Sequence, residues 1–108
     1  MQFGIVTRGF DNLNHWIGQD IHSWSFGRMY GNRAHNNKVS GYYQIEKKEC
    51  CDDIVSVTVD TQNGVLSFDI NGEKCGTCYK LSALRGATVY PALSLFYPGD
   101  SVEIVTDE

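Results

Sequence analysis

The stretch VSVTVDTQNGVLSFDINGEKCGTCYK, residues 55–80, decides the fold. Val55, Val57 and Val59 alternate with Ser56, Thr58 and Asp60, and Leu66, Phe68 and Ile70 alternate with Ser67, Asp69 and Asn71. Apolar residues at a period of two mark strands with one face in a core. The runs are punctuated by Asn63-Gly64 and Asn71-Gly72. Asn and Gly tolerate the positive φ that two-residue hairpin turns require. The segment therefore reads as three antiparallel strands, Ile54–Asp60, Leu66–Ile70 and Lys74–Tyr79, joined by two tight hairpins.

Working outward, Phe3-Gly4-Ile5-Val6-Thr7 is short and apolar and reads as a strand. From Arg8 to about Ser40 the chain is rich in Gly, Asn and His, with Trp16, Trp24, Phe26 and Tyr30 interspersed, and no helical period holds. It reads as a long irregular stretch, with one short strand at Ser23–Phe26; loops of that length are often functional. Tyr42, Tyr43 and Ile45 suggest another strand, and Glu46–Glu49 a solvated turn. After the central meander come a brief turn at Leu81–Gly86 and an apolar segment, Val89–Phe96, expected to be a strand buried on both faces. A turn at Tyr97–Asp100 and a last strand at Ser101–Thr106 complete the chain. Many short strands with turn punctuation and almost no helix indicate an all-β sandwich of the jelly-roll kind.

The chain has 108 residues, enough for one domain with its own core. The hydrophobic content is 42% and the net charge −4, which fits a globular protein and argues against broad binding to nucleic acid or anionic membrane. No apolar run approaches the ~20 residues needed to span a bilayer. The start, Met1–Val6, carries neither a charged region nor a cleavage site, so no signal peptide is expected and an intracellular setting, cytoplasmic or nuclear, is inferred. The four cysteines fall at 50, 51, 75 and 78. Cys50 and Cys51 are neighbours, and neighbours in a strand point to opposite faces, so with Cys75 and Cys78 they make a poor zinc clip. They read as reduced cysteines acting as small apolar residues. His15, His22 and His35 are spaced too irregularly for a compact metal clip, and no metal or other cofactor is expected.

From Asp52 to Val105 the sequence closely resembles the SPRY domain family. The matching elements are Asp53-Ile54-Val55, Val57-Thr58-Val59-Asp60, Gly64-Val65-Leu66-Ser67-Phe68, Asn71-Gly72, Cys75-Gly76-Thr77-Cys78-Tyr79 and Val89-Tyr90-Pro91-Ala92-Leu93-Ser94, in the family's order and spacing. Upstream, Phe3–Thr7 is similar to the family's Val-Gly-Val strand and Ser23–Gly27 to its Ser-Trp segment, so the resemblance covers residues 1–108 as a single domain. It implies an antiparallel β-sandwich of two curved sheets. The family's usual strand or two before the Val-Gly-Val strand is not present ahead of Phe3. That departure implies a domain that is trimmed or completed by another segment. An unpaired edge at residues 3–7 is then expected, inviting a dimer or strand exchange.

The resemblance also implies a non-catalytic module that binds a protein or peptide through loops at one end of the sandwich. Its parent would be a larger scaffold, adaptor or ubiquitin-ligase-type protein; chromatin-complex subunits and ion channels also carry such domains. By motif position the family's binding residues fall on Arg8, Phe10 and Asp11, on the stretch around Tyr30 to His35 that includes Tyr30 and Arg33, and on Tyr97. Aromatic and Arg side chains dominate interface energetics, which makes these residues reasonable anchors. Trp16 and Trp24 read as core or loop anchors, and Pro91 as an edge or bulge residue. Two other classes compete. A glycosidase needs two carboxylates flanking a cleft, but Asp60, Asp69 and Glu73 lie at strand ends and polar faces. A lectin-like carbohydrate binder would use Trp16 or Trp24 as a stacking platform.

Overall fold

The structure, a computed structural model, describes residues 1–11, 14–46 and 53–94. Cys50, Cys51, Tyr97 and the final strand expected from the sequence lie outside the described residues. Among the described residues, eight strands form two antiparallel sheets. The first sheet holds β1 (Gln2–Val6), β2 (Ser23–Gly27), β3 (Asn32–His35), β4 (Lys38–Gly41) and β8 (Tyr90–Ser94), in the order β4-β3-β2-β1-β8. The second holds β5 (Val55–Asp60), β6 (Val65–Ile70) and β7 (Glu73–Lys80), in chain order. The all-β sandwich expected from the sequence is the observed fold. Among the described residues the one helical turn, Ser82–Leu84, is a 3-10 turn that buries Leu84.

β6 is the strand that the alternation describes best. Leu66, Phe68 and Ile70 are buried while Val65, Ser67 and Asp69 are half-exposed. Opposite them, β1 contributes Ile5 and β2 contributes Trp24 and Phe26. The Phe26 and Phe68 rings lie 5.0 Å apart, and Tyr42 stands edge-on to Phe26 at 5.6 Å. β5 follows the alternation less well, because Val55 and Val59 pack on the core while Val57 stays 37% exposed.

The two Asn-Gly pairs form different turns. Asn71-Gly72 is a two-residue hairpin between the paired Ile70 and Glu73, with φ of 51° and 83°. Asn63-Gly64 instead ends a four-residue loop between the paired Asp60 and Val65, and there only Gly64 has positive φ. The reason is Asp60. Its carboxylate accepts the Asn63 side-chain amide and the backbone N–H groups of Gln62 and Asn63. Those bonds fold residues 61–63 into a tighter local turn and hold the Asp60 carboxyl below its ordinary range.

β7 departs from a regular ladder at two places. Ser67 and Phe68 pair with Thr77 and Gly76, while Asp69 pairs with Lys74 and Leu66 with Tyr79. Cys75 and Cys78 are thus the unpaired, bulged residues. A bulge frees carbonyls, and the facing sheet satisfies them. The Arg33 guanidinium donates to the Cys78 carbonyl at 2.5 Å, and the Tyr42 hydroxyl donates to the Gly76 carbonyl. A further polar tie crosses at the Asn71 turn. Arg28, 2% exposed, donates to Asp53 Oδ2 at 3.1 and 3.2 Å, and Asn71 donates to Asp53 Oδ1 at 2.9 Å.

Four expectations are corrected. Residues 32–41, read as loop, form the β3–β4 hairpin, turned by Asn36-Asn37 with φ of 52° and 62°. Tyr42, Tyr43 and Ile45 form no strand; both Tyr N–H groups donate to the Gly31 carbonyl and the side chains pack on the core as the chain crosses between sheets. β8 is not buried on both faces, since Tyr90 and Pro91 are exposed, because it is the last strand of its sheet among the described residues. Finally, residues 3–7 present no free edge for a dimer or strand exchange. β1 lies between β2 and β8, paired with both along its whole length.

Removing the Phe68 ring would leave a void against Phe26 and Tyr42. Phe68→Ala is expected to lower unfolding free energy by about 3–5 kcal/mol, read by urea denaturation. Burial also pushes the Cys78 thiol and the Tyr79 phenol up to about 12, against 9.0 and 10.0 in the unfolded chain. Both groups bind their protons more tightly when folded, so their contribution is complete below about pH 9 and is lost as pH rises from there toward 12. The urea midpoint is expected to fall across that window, and Cys78→Ala to make the fall shallower.

Candidate functional site

Alternation divides the first sheet into two faces. Phe3, Ile5, Trp24, Phe26, Arg33 and His35 point toward the second sheet, so Gly4, Val6, Ser23, Ser25, Ala34 and Ala92 form the outer face. These outer residues are small, and Ser23 and Ser25 are fully buried. What covers them is the connection between β1 and β2. Ile17 is 3% exposed. Gly18, at φ 98°, approaches so closely that a Cβ would lie 2.7 Å from both Ala34 Cβ and Ser25 Oγ.

This connection is tied down at several points. Gly18 donates its N–H to Ser23 Oγ at 2.7 Å, and that hydroxyl donates to Asp20 Oδ1 at 2.8 Å. Asp20 Oδ1 also accepts the His22 N–H, and the Asp20 and Gly18 carbonyls accept the N–H groups of Asn36 and Asn37. At its start, Thr7 donates to the His22 carbonyl at 2.8 Å and Phe10 closes a turn onto the Thr7 carbonyl. The covering layer is thereby anchored to β2 and to the β3–β4 turn, and it flanks β8 without sealing it.

The gap is a groove of about 640 Å³. One wall carries Arg8, Phe10, His15 and Ile17, and the other carries Tyr90, Ala92 and Ser94 of β8. Arg8 is exposed, Tyr90 is 42% exposed, and His15 Nδ1 is buried with no hydrogen-bond partner among the described residues. The groove thus offers a guanidinium and two aromatic rings. Such a set suits a segment of polypeptide better than bond-breaking chemistry.

The residues singled out from the sequence divide. Arg8 and Phe10 share this groove. Asp11 is adjacent in the chain, and its carboxylate accepts the Asn14 side-chain amide at 2.6 Å. Tyr30, 75% exposed, lies at the opposite end of the sheet, because the antiparallel pairing puts Val6 beside Ser23 but Gln2 beside Gly27. It borders a second groove of about 250 Å³, with Met1, Gln2, Met29 and Val39. Arg33 belongs to neither groove. It points inward, donates to Ser40 Oγ at 3.1 Å and to Cys78, and lies over the Tyr79 ring at 4.8 Å. Tyr97 is outside the described residues. Tyr90 and His15 were not picked out from the sequence; Tyr90 sits in the matched Tyr-Pro-Ala motif, while nothing local marks His15.

Among the described residues no group of three or more His, Cys, Asp or Glu gathers as a metal site. His22 lies against Gly9 and Thr7, and His35 stacks on Trp24 at 4.5 Å. No helix among the described residues is long and apolar enough to cross a membrane.

Two antiparallel sheets with a loop-walled groove define the class, a β-sandwich. The family model of the SPRY domain matches residues 1–108, and the chain belongs to that family. SPRY domains are in general protein-interaction modules and typically non-catalytic. No curated protein matches the chain.

The groove depends on the layer that forms its wall. Gly18→Ala would force a side chain into contact with Ala34 and Ser25 at positive φ. Amide hydrogen exchange is expected to accelerate by at least tenfold over residues 16–22 and to stay unchanged in β5–β6.

Proposed function

We propose that this domain binds a short peptide or protein segment in the groove between the Arg8–Ile17 wall and β8. The observation that carries the reading is the presence of Arg8, Phe10 and Tyr90 on one open cleft. Arg8 supplies a fork for a carbonyl or carboxylate, and the rings supply apolar area at low entropic cost. Asp11 joins the proposal as the chain neighbour of the groove residue Phe10. Tyr97 is part of the proposal because it follows the groove residue Ser94 by three positions, a reach of at most ~10 Å along the chain. The broader setting proposed, an intracellular adaptor or ubiquitin-ligase-type receptor, rests on the family resemblance.

Tyr30 and Arg33 are not part of this groove. A lectin-like reading loses one of its two platforms, because Trp24 is 3% exposed and stacked on His35, while Trp16 is half-buried. Random twelve-residue peptides displayed on phage and selected on the immobilised domain test the proposal. For a selected peptide, Arg8→Ala, Tyr90→Ala and Tyr97→Ala are each expected to weaken binding by about 2 kcal/mol, roughly 30-fold, by calorimetry. If all three variants fold and bind unchanged, the groove is not the site.

A further inference from the structure

The outer edge of the first sheet at β4 has the features of a second binding surface. Lys38, Val39, Ser40 and Gly41 are all exposed, and among the described residues β4 pairs only with β3. The two-residue turn at Asn36-Asn37 makes His35 and Lys38 a hydrogen-bonded pair. Pairs alternate along an antiparallel ladder, so Ala34–Val39 is not hydrogen-bonded, Arg33–Ser40 is, and Asn32–Gly41 is not. The N–H and C=O of Val39 and Gly41 therefore point away from the sheet, spaced to meet another extended strand. Beside them Val39, 57% exposed, Met29, 39% exposed, and Tyr30, 75% exposed, line the second groove. Gln2 Oε1, also in that wall, is buried with no hydrogen-bond partner among the described residues.

We infer that β4 docks an extended peptide by strand addition, with an apolar side chain in the groove beside Val39 and an acidic side chain opposite Lys38. Two features favour this occupant over a second copy of the chain. Lys38 is exposed and makes no ion pair among the described residues. Pairing two copies of β4 with Val39 opposite Val39 would put both Lys38 side chains on one face in diagonal positions about 7–8 Å apart, where like charges repel; pairing with Val39 opposite Gly41 avoids that, and sedimentation decides it. A peptide with Glu at that position turns repulsion into attraction. Alternation then places its apolar residues over Val39 and Met29, and the groove adds side-chain selectivity to main-chain pairing.

The test uses a nine-residue peptide alternating valine and glutamate, titrated into the full chain and followed by amide NMR. Shifts and slowed exchange are expected at Val39 and Gly41. Val39→Pro removes one outward donor at a position where an edge strand tolerates proline, and is expected to weaken binding at least tenfold with the spectrum of the core unchanged. N-methylation of alternate peptide amides is expected to abolish binding in one phase and spare it in the other, as only strand addition requires. Lys38→Glu is expected to weaken binding tenfold and to be rescued by a peptide alternating valine and lysine. Arg8→Ala is expected to leave this binding unchanged, which separates it from the groove at β8. No binding at millimolar peptide, equal binding by Val39→Pro, or sedimentation showing a dimer that Val39→Pro dissolves would each overturn the inference.

Discussion

The contact between Phe26 and Phe68 is the one on which the sandwich depends. Their rings lie 5.0 Å apart, both side chains are fully buried, and they come from the central strands of the two sheets. A curved sheet must bury one apolar face against another element, and here the centre of that contact is Ile5, Trp24 and Phe26 against Leu66, Phe68 and Ile70. Each register in the two sheets is fixed by keeping these six side chains inward, since a one-residue slip would turn them all to water.

The polar ties between the sheets follow from that packing. The two bulges at Cys75 and Cys78 interrupt the ladder of β7, and two carbonyls of that strand, those of Gly76 and Cys78, are reached by donors from outside it. Arg33 and Tyr42 supply them, and Arg28 performs a related service at Asp53. Cysteines at both bulges are sensible, because a small side chain with a weak donor fits where regular pairing is lost. The Cys-x-x-Cys spacing that resembles a metal clip is therefore a consequence of two bulges three residues apart.

These ties also explain what the sequence made legible and what it concealed. The meander from 55 to 80 was readable because its strands alternate cleanly and its turns carry Asn-Gly. The β3–β4 hairpin was not, because its pattern runs the other way. Arg33 and His35 point inward, one to a bulge carbonyl and one stacked on Trp24, while Ala34 and Val39 point outward. Sequence alternation assumes that inward means apolar, and here the inward positions are polar groups paired across the sandwich. The same inversion explains Arg33, read as an interface candidate by residue type. Its cross-sheet partner, the Cys78 carbonyl, is 45 positions away in the chain, beyond any local pattern. For the candidate site, motif position alone pointed to Arg8 and Phe10, but the facing wall at Tyr90 required knowing that β8 pairs with β1.

The outer face of the first sheet then accounts for where binding can occur. Gly4, Ser23, Ser25, Ala34 and Ala92 are too small to form a core layer of their own, yet they let a loop lie almost on the backbone. Ile17 and Gly18 occupy the centre of that face, leaving an opening on each flank: one at β8, with Arg8, Phe10 and Tyr90, and one at β4, with Met29, Tyr30 and Val39. Each opening has one wall of strand backbone, β8 on one side and β4 on the other, and the ordering cost of that wall on binding a ligand stays low. The two differ in chemistry. The β8 side offers side-chain recognition by a guanidinium and rings, whereas the β4 side offers a row of main-chain donors and acceptors beside one lysine. The two openings lie toward opposite edges of the first sheet with the Ile17 layer between them, so two different segments could occupy them at once, held by the sheet at a fixed spacing.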